Sequence, residues 1–198
     1  MNKISAFHHN LYSFNISDPN VDLLRKNLDS MFNNSKIKYG HYRGEEVVGN
    51  GKSTLSTPNL ILKLNGIGTL ISLVKDCIKQ LDPSKCTNAD DIVFENIWAN
   101  RNFKSSTVKV HRHPENLENV CIFYIDVPEK DCADLVVVKS GVSQTLLDNY
   151  TECEKVYIKV KTGDLIIHSP DVFHAVSEHK SEYPRTCIIL NYFIKERT

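Results

Sequence analysis

The second half of the chain is a series of short, strongly apolar runs, and this pattern limits the folds open to it. Eight runs follow one another from Ile92, separated by Pro, Gly, Asp, Asn or Ser residues. They read IVFENIW, STVKVH, VCIFYIDV, DLVVV, KVYIKV, DLIIH, VFHAV and TCIILNYFI. Runs of this length that are rich in β-branched and aromatic residues predict β-strands. Because most connections are too short for a helical crossover, we expect largely antiparallel sheets in a sandwich or barrel.

The first part of the chain has helical periodicity instead. Ser17 or Asp18 can cap a helix, and a second amphipathic stripe predicts another helix over residues 68–81. The apolar residues of the first stripe are Val21, Leu24, Leu28 and Phe32. We therefore predict a mainly β fold with flanking helices, in which a double-sheet roll encloses a pocket. Residues 1–85 would form a helical and irregular segment packed on the roll, and residues 86–198 the roll itself, within one compact domain.

Charge and hydropathy restrict the partners. The 24 Lys and Arg residues balance 24 Asp and Glu residues, so no net field draws the chain to duplex nucleic acid or to an anionic membrane. The first residues lack an apolar core followed by a cleavage site, and no run approaches the ~18 apolar residues of a membrane span. We expect a soluble, cytoplasmic protein that binds a small molecule or a peptide. Nothing in the sequence indicates its oligomeric state.

The cysteines point to a reducing compartment. Six of them occur in the chain, and no two form a C-x-x-C pair. This spacing disfavours a zinc knuckle or a dithiol redox motif. Free cysteine behaves as a small hydrophobic residue, so we predict reduced thiols in or near the core.

The eight histidines divide into two sets. One set lies in polar sequence and is predicted at the surface or in loops: His8, His9, His41 and His179. The other set lies in or at the ends of predicted strands: His111, His113, His168 and His174. Only the second set can converge inside the roll.

Three of these histidines fit a metal site. Side chains two residues apart point to the same side of an extended segment, so His111 and His113 can both be ligands. A third ligand must come from a distant strand, and His174 in PDVFHAV has the required apolar, strand-like setting. Three protein ligands on one face leave coordination positions open, as an iron(II) site that reacts with oxygen requires. An H-x-H pair alone is weak evidence, because such pairs also decorate ordinary strands.

The order of several further elements resembles that of the iron(II)- and 2-oxoglutarate-dependent oxygenases, in particular a compact branch common in bacteriophages and marine bacteria. The elements are Trp98-x-Asn100, His111-x-His113-Pro114, Phe123-Tyr124, Asp134-Leu135, Gly163-Asp164-Leu165, Ser169-Pro170, His174, Arg185 and Asn191. This resemblance covers about half of the chain. It implies a double-stranded β-helix, the jelly roll of cupin-like proteins, with Fe(2+) as cofactor and 2-oxoglutarate as co-substrate.

The resemblance also implies roles for residues outside the metal site. Arg185 would bind the distal carboxylate of 2-oxoglutarate, since its rigid, charged fork can pair bidentately with a carboxylate. Tyr124 would line the same pocket and help to hold the co-substrate, unless it is only a half-buried structural tyrosine. Cys187 stands where the family often has serine or threonine as a second carboxylate contact, which predicts a weaker contact here.

The sequence departs from the family at His113, where most members have a carboxylate. A neutral imidazole leaves the iron site one unit more positive than the usual ligand set. Glu115 is the alternative second ligand. In that case His113 would not bind the metal directly but would lie next to the metal ligands. Because Pro114 interrupts the strand between them, alternation alone does not decide between the two.

The remaining candidates concern the substrate. Asn100 and Asn191, together with Arg101, are polar residues that could face a substrate, and His168 is predicted to line the pocket or to pack beside it. The resemblance implies hydroxylation of a small-molecule or peptidyl substrate, with release of succinate and carbon dioxide. Two alternatives stay open: a three-histidine iron dioxygenase that does not use 2-oxoglutarate, and a non-enzymatic cupin-like domain that binds a ligand or another metal such as zinc or nickel.

Overall fold

The computed structural model describes residues 1–34, 47–48, 51–55, 57–86, 88–139 and 153–195. Within these ranges the chain forms two α-helices, α1 (Pro19–Asn33) and α2 (Ile67–Leu81). The strands are β1 (Asn2–Ala6), β2 (His9–Asn15), β3 (Val47–Val48), β4 (Lys52–Ser53), β5 (Ile92–Asn102), β6 (Thr107–His111), β7 (Asn119–Asp126), β8 (Leu135–Val138), β9 (Lys155–Ile158), β10 (Asp164–His168), β11 (His174–Val176) and β12 (Arg185–Ile194). Each of the eight apolar runs beyond Ile92 is a strand, as predicted.

The strands form two sheets that face each other. One has seven strands in the order β1-β2-β10-β7-β12-β5-β4, and the other has five in the order β3-β6-β11-β8-β9. Neighbouring strands of the described residues pair antiparallel throughout. Side chains from the inner faces of both sheets, such as Ile122 and Leu135, share one buried cluster. The predicted double-stranded β-helix is confirmed.

Both helices cover the outer face of the seven-stranded sheet. In α1, Asp18 is the N-cap and its side chain accepts a hydrogen bond of 2.7 Å from the Asn20 amide. Leu28 of α1 and Val74 of α2 join a single core cluster with outward-facing residues of the sheet, such as Ile188. Because strand residues alternate, the neighbouring Ile189 points to the other face. The helices therefore cover one face of the large sheet and leave its other face to the interior of the roll.

Two N-terminal strands extend the seven-stranded sheet, and our sequence analysis assigned no strand there. Strand β2 pairs with β10, and β1 forms the edge of the sheet. The sequence pattern that would predict β2 is weak, because Leu11 packs into the inner cluster whereas Phe14 packs into the outer one. Burial on both faces breaks the simple alternation of apolar and polar residues.

Two histidines predicted at the surface are buried. His9 is turned inward on β2 and is 6% exposed, and His179 is completely buried. Both nitrogens of the His179 ring have hydrogen-bond partners. Nδ1 accepts from the Ala133 amide at 3.3 Å, and Nε2 lies 2.7 Å from the Tyr183 carbonyl oxygen. His8 is exposed, as predicted. His41 lies outside the described residues.

The other expectations from composition concern the thiols and the membrane. All six cysteines are free thiols, and all but the half-buried Cys132 are buried. Neither α1 nor α2 has the length and hydrophobicity of a membrane-spanning helix, and the described part of the chain contains no other candidate.

Candidate functional site

Three histidines meet at one end of the roll. His111 and His174 are register partners on β6 and β11, and their ring centroids are 4.3 Å apart. His113 follows the end of β6, where its backbone amide donates to the Pro170 carbonyl at 3.0 Å. The His113 ring stacks on His174 with centroids 5.2 Å apart. One potential ligand atom from each ring lies within 4.8 Å of the other two, which is compatible with a single bound metal ion.

Backbone carbonyls fix the tautomers of two of these rings. Nδ1 of His111 lies 2.9 Å from the Lys109 carbonyl oxygen, and Nδ1 of His174 lies 3.0 Å from that of Val172. A carbonyl oxygen only accepts hydrogen bonds, so Nδ1 must carry the proton in both rings. Each Nε2 then has a free lone pair, which is the arrangement that metal-binding histidines usually have.

Burial keeps the site neutral. Burial, together with the neighbouring His111 and His168 rings, lowers the pKa of His113 to about 2. The pKa of His174 is well below its usual range for the same reason, with further lowering by the other three rings. Since only the neutral imidazole binds a metal, these rings are in the ligating form at physiological pH.

The alternative ligand Glu115 is not part of this cluster. Its carboxylate lies 2.8 Å from Nη1 of Arg112, and its side chain is 73% exposed. The turn after Pro114 thus directs the carboxylate outward, toward a cation at the surface. The described cluster consists of three neutral donors without a carboxylate.

His168 lies beside the three histidines without joining them. Its ring centroid is 4.8 Å from that of His174, and its Nδ1 lies 2.7 Å from the Ser169 carbonyl oxygen. Burial lowers the pKa of His168 to about 4. Its buried Nε2 has no hydrogen-bond partner among the described residues. The ring therefore packs against the side of the cluster, and His168 is not among the residues that line the cavity described next.

A buried arginine lies deeper in the roll. Arg185 is 1% exposed at the start of β12, and its guanidinium carbon lies 4.8 Å from the centre of the Tyr124 ring. Its Nη1 donates to Asn102 Oδ1 at 3.3 Å. Among the described residues, its Nε and the Tyr124 hydroxyl make no hydrogen bond of good geometry, although Tyr124 and Arg185 interact electrostatically, and no described carboxylate pairs with the guanidinium. An uncompensated buried charge is costly, so this pocket is suited to an anion.

One cavity connects the histidines to this arginine. It has a volume of about 230 Å³, and its wall includes all three histidines together with Arg185 and Cys187. Ile122, Leu135 and Ile189 are among its apolar lining residues. A small molecule with an anionic end can therefore contact the histidine cluster and Arg185 at once.

The sequence of this region matches a known family. Residues 96–191 match the model described as "Putative 2OG-Fe(II) oxygenase", and this segment contains the three histidines and Arg185. Over this segment, the chain is similar to the 2OG-Fe(II) oxygenase family. Among curated proteins, no sequence matches this chain.

Solved structures with the same fold include several oxygenases of this kind. The non-heme alpha ketoglutarate dependent epimerase SnoN from nogalamycin biosynthesis is 11% identical, with a TM-score of 0.66 over 93% of this chain and 77% of its own. A Pseudomonas putida prolyl-4-hydroxylase is 10% identical, with a TM-score of 0.60 over 96% of this chain and 95% of its own. HygX from Streptomyces hygroscopicus, solved with nickel, 2-oxoglutarate and hygromycin B bound, is 10% identical. Its TM-score is 0.58 over 94% of this chain and 85% of its own.

The cavity contains more polar residues than the sequence predicted. Alternate residues of β5 line it, namely Asn96, Trp98, Asn100 and Asn102. Of these, only Asn100 was predicted as a pocket residue. The spacing N-x-W-x-N-x-N was the available signal, because residues two apart on a strand share a face. Arg101 lies on the opposite face, where it pairs with Asp29 and its Nε donates to Thr186 Oγ1 at 2.9 Å, so it does not face the cavity.

Proposed function

We propose that the protein is an iron(II)- and 2-oxoglutarate-dependent dioxygenase in which His111, His113 and His174 hold the iron. Arg185 binds the distal carboxylate of 2-oxoglutarate. The observation that carries this proposal is the single cavity that joins the three histidines to a buried, unpaired arginine. When bound, iron and 2-oxoglutarate supply the oxidative chemistry, in which oxygen is consumed and succinate and carbon dioxide are released.

The residues present fit these two groups. Three neutral imidazoles on one side of the cavity leave the opposite coordination face free for a co-substrate and oxygen. The unpartnered Nε of Arg185 and the hydroxyl of Tyr124 are donors that a carboxylate would satisfy. Cys187 completes the wall of this end but offers only a weak thiol donor.

The protein contributes orientation and exclusion of water. The buried guanidinium fixes the far end of the co-substrate, which directs its other end toward the histidines. Apolar lining residues such as Ile122, Leu135 and Ile189 disfavour water beside the bound co-substrate. A dry, pre-formed pocket strengthens each electrostatic contact inside it.

The proposed reaction is hydroxylation of a small-molecule or peptidyl substrate. Asn100, together with Asn96 and Trp98, offers amide groups and an aromatic face on the wall of the cavity that β5 forms. The lining residues that are described include no Asp or Glu, so a neutral, hydrogen-bonding substrate suits this wall better than a cation.

Succinate formation tests this proposal. The protein is reconstituted anaerobically with iron(II), 2-oxoglutarate is added, and succinate is measured after admission of oxygen. We expect slow, substrate-independent conversion that requires iron and is lost in Arg185→Met. Absence of succinate from a protein that contains one equivalent of iron would count against the use of 2-oxoglutarate.

One observation favours a second candidate. The metal ligands include no carboxylate, and Cys187 replaces the hydroxyl residue that is frequent in the family. A three-histidine dioxygenase that oxidises a directly bound, carboxylate-containing substrate would also use Arg185. Oxygen consumption with such a substrate, in the absence of 2-oxoglutarate, would identify it.

A further inference from the structure

Arg185 fixes the orientation of a neighbouring carboxamide. Asn102 is the register partner of Arg185 on β5, and it is 1% exposed. Nη1 of Arg185 lies 3.3 Å from the Oδ1 position of Asn102. A guanidinium only donates hydrogen bonds, so the amide atom that it contacts must be the oxygen. The amide nitrogen, Nδ2, is therefore on the side of the group turned away from Nη1.

This nitrogen is a buried donor without an acceptor. Nδ2 of Asn102 makes no hydrogen bond of good geometry within the described residues. Asn102 also lines the cavity that contains the three histidines. A buried N–H group that is left unsatisfied destabilises the ligand-free protein, and buried polar groups of this kind are uncommon. The unsatisfied N–H group is explained if a bound ligand supplies its acceptor.

Two further donors surround the same guanidinium. Strands β5 and β7 flank β12, so Asn102 and Tyr124 lie on the two strands next to that of Arg185. The centre of the Tyr124 ring lies 4.8 Å from the guanidinium carbon. The Tyr124 hydroxyl and Nε of Arg185 are buried and make no hydrogen bond of good geometry within the described residues, although the two side chains interact electrostatically. Cys187, which lines the same cavity, adds only a weak thiol donor.

These groups need acceptors, and a carboxylate provides them. Oδ1 of Asn102 is already used by Arg185, so the site offers N–H and O–H groups together with one positive charge. An ionised carboxylate only accepts hydrogen bonds, and its two oxygens have about four lone-pair sites. It can therefore satisfy all three donors with charge-assisted hydrogen bonds. A neutral hydroxyl or amide would leave the buried charge of Arg185 uncompensated.

We propose that Asn102 is a second residue that binds the far carboxylate of 2-oxoglutarate, to which its Nδ2 donates beside Arg185. This inference rests on the proposed function, because it requires 2-oxoglutarate in this cavity. Arg185 orients the Asn102 amide through Oδ1, and the amide nitrogen then contacts the co-substrate directly. Asn102 thus supplies the neutral donor that the thiol of Cys187 provides only weakly.

Anaerobic calorimetry of the iron-loaded protein tests this contact. Two ligands are compared, 2-oxoglutarate and 2-oxobutyrate, which differs only in lacking the far carboxylate. We expect Asn102→Leu to lower the affinity for 2-oxoglutarate about 10- to 100-fold, as for a lost hydrogen bond to a charged group, and to leave that for 2-oxobutyrate unchanged. The matched control is Asn119→Leu, because the Asn119 carboxamide donates to the Tyr192 hydroxyl at 3.1 Å and does not line the cavity. This control should bind both ligands like the unmodified protein.

Asn102→Asp removes the donor while keeping an oxygen for Arg185. The new carboxylate can pair with the guanidinium, so this variant should fold and retain its iron. It should weaken 2-oxoglutarate binding more than Asn102→Leu does, because a negative charge replaces the donor. Unchanged affinity for 2-oxoglutarate in either variant, or an equal loss for both ligands, would overturn the inference.

The Arg185→Met background separates direct contact from orientation of the guanidinium. If Nδ2 binds the carboxylate itself, adding Asn102→Leu should further lower the remaining affinity for 2-oxoglutarate. Absence of a further loss would show that Asn102 acts only through Arg185 and would overturn the inference. Failure of the iron-loaded, unmodified protein to bind 2-oxoglutarate would instead overturn the proposed function and, with it, the inference.

Discussion

His174 is the register partner of His111 on the adjacent antiparallel strand, and its ring lies 4.3 Å from that of His111 between centroids. This pairing joins two distant parts of the sequence at one point of the smaller sheet. His113 lies past the end of β6, and its backbone amide is tied to the Pro170 carbonyl. The metal site therefore depends on strand register and on one loop contact, which makes its ligands individually testable.

Loss of any one ligand should abolish tight metal binding. We expect His111→Ala, His113→Ala and His174→Ala each to lower iron affinity by more than about 100-fold, since a missing ligand costs more than a missing outer hydrogen bond. Metal content after anaerobic reconstitution and desalting measures this loss. Glu115→Gln is the control, because its carboxylate pairs with Arg112 outside the cluster. Loss of iron in that variant with retention in His113→Ala would reassign the second ligand to Glu115.

Arg185 should decrease the stability of the ligand-free protein. Because its buried charge has no described carboxylate partner, Arg185→Met should raise the free energy of unfolding, by about 1–4 kcal/mol if it behaves like other replaced buried charges. Arg101→Met should instead lower the free energy of unfolding, because Arg101 is equally buried but pairs with Asp29. Chemical denaturation of both metal-free variants measures these changes. A destabilised Arg185→Met would show that the guanidinium has a structural role instead.

Gly163 should be intolerant of a side chain. Its φ is +91°, and an added Cβ would lie 2.9 Å from the Ile16 carbonyl oxygen. We expect Gly163→Ala to destabilise the fold by about 1–3 kcal/mol through backbone strain and this close contact. Gly68 in α2 has open space around the same position, so Gly68→Ala should stabilise by about 0.4–1 kcal/mol. Thermal denaturation compares the two, and similar effects of both substitutions would contradict this interpretation.

His179 should make the protein sensitive to acid. Burial lowers its pKa below the usual histidine value, Arg185 lowers it further, and only the Tyr183 carbonyl opposes the shift. Between the folded pKa and the unfolded value of about 6.5, the unfolded chain binds more protons, so stability falls as pH drops through this window. His179→Gln should show a shallower decline below pH 6.5 in melting temperature measured with chelator present. An unchanged slope in His179→Gln would exclude the effect.

The strand core and the cluster of three histidines could be predicted because their signals are local. Short β-branched runs and an H-x-H pair can be identified without knowledge of strand order. The cavity-lining positions of Asn96 and Asn102 were not predicted, since they depend on which strands enclose the cavity. His9 and His179 were placed at the surface because their sequence neighbours are polar, whereas strand pairing and the contact with Tyr183 bury them. Strands β1 and β2 were missed because β2 packs on both faces.

Binding of 2-oxoglutarate under anaerobic conditions tests the central claim most directly. Isothermal calorimetry of the iron-loaded protein should give one equivalent of bound 2-oxoglutarate. Removal of iron should weaken this binding, and Arg185→Met should weaken it on the order of 100-fold while retaining its iron. Failure of the iron-loaded protein to bind 2-oxoglutarate, or equal binding by the unmodified protein and Arg185→Met, would contradict the account.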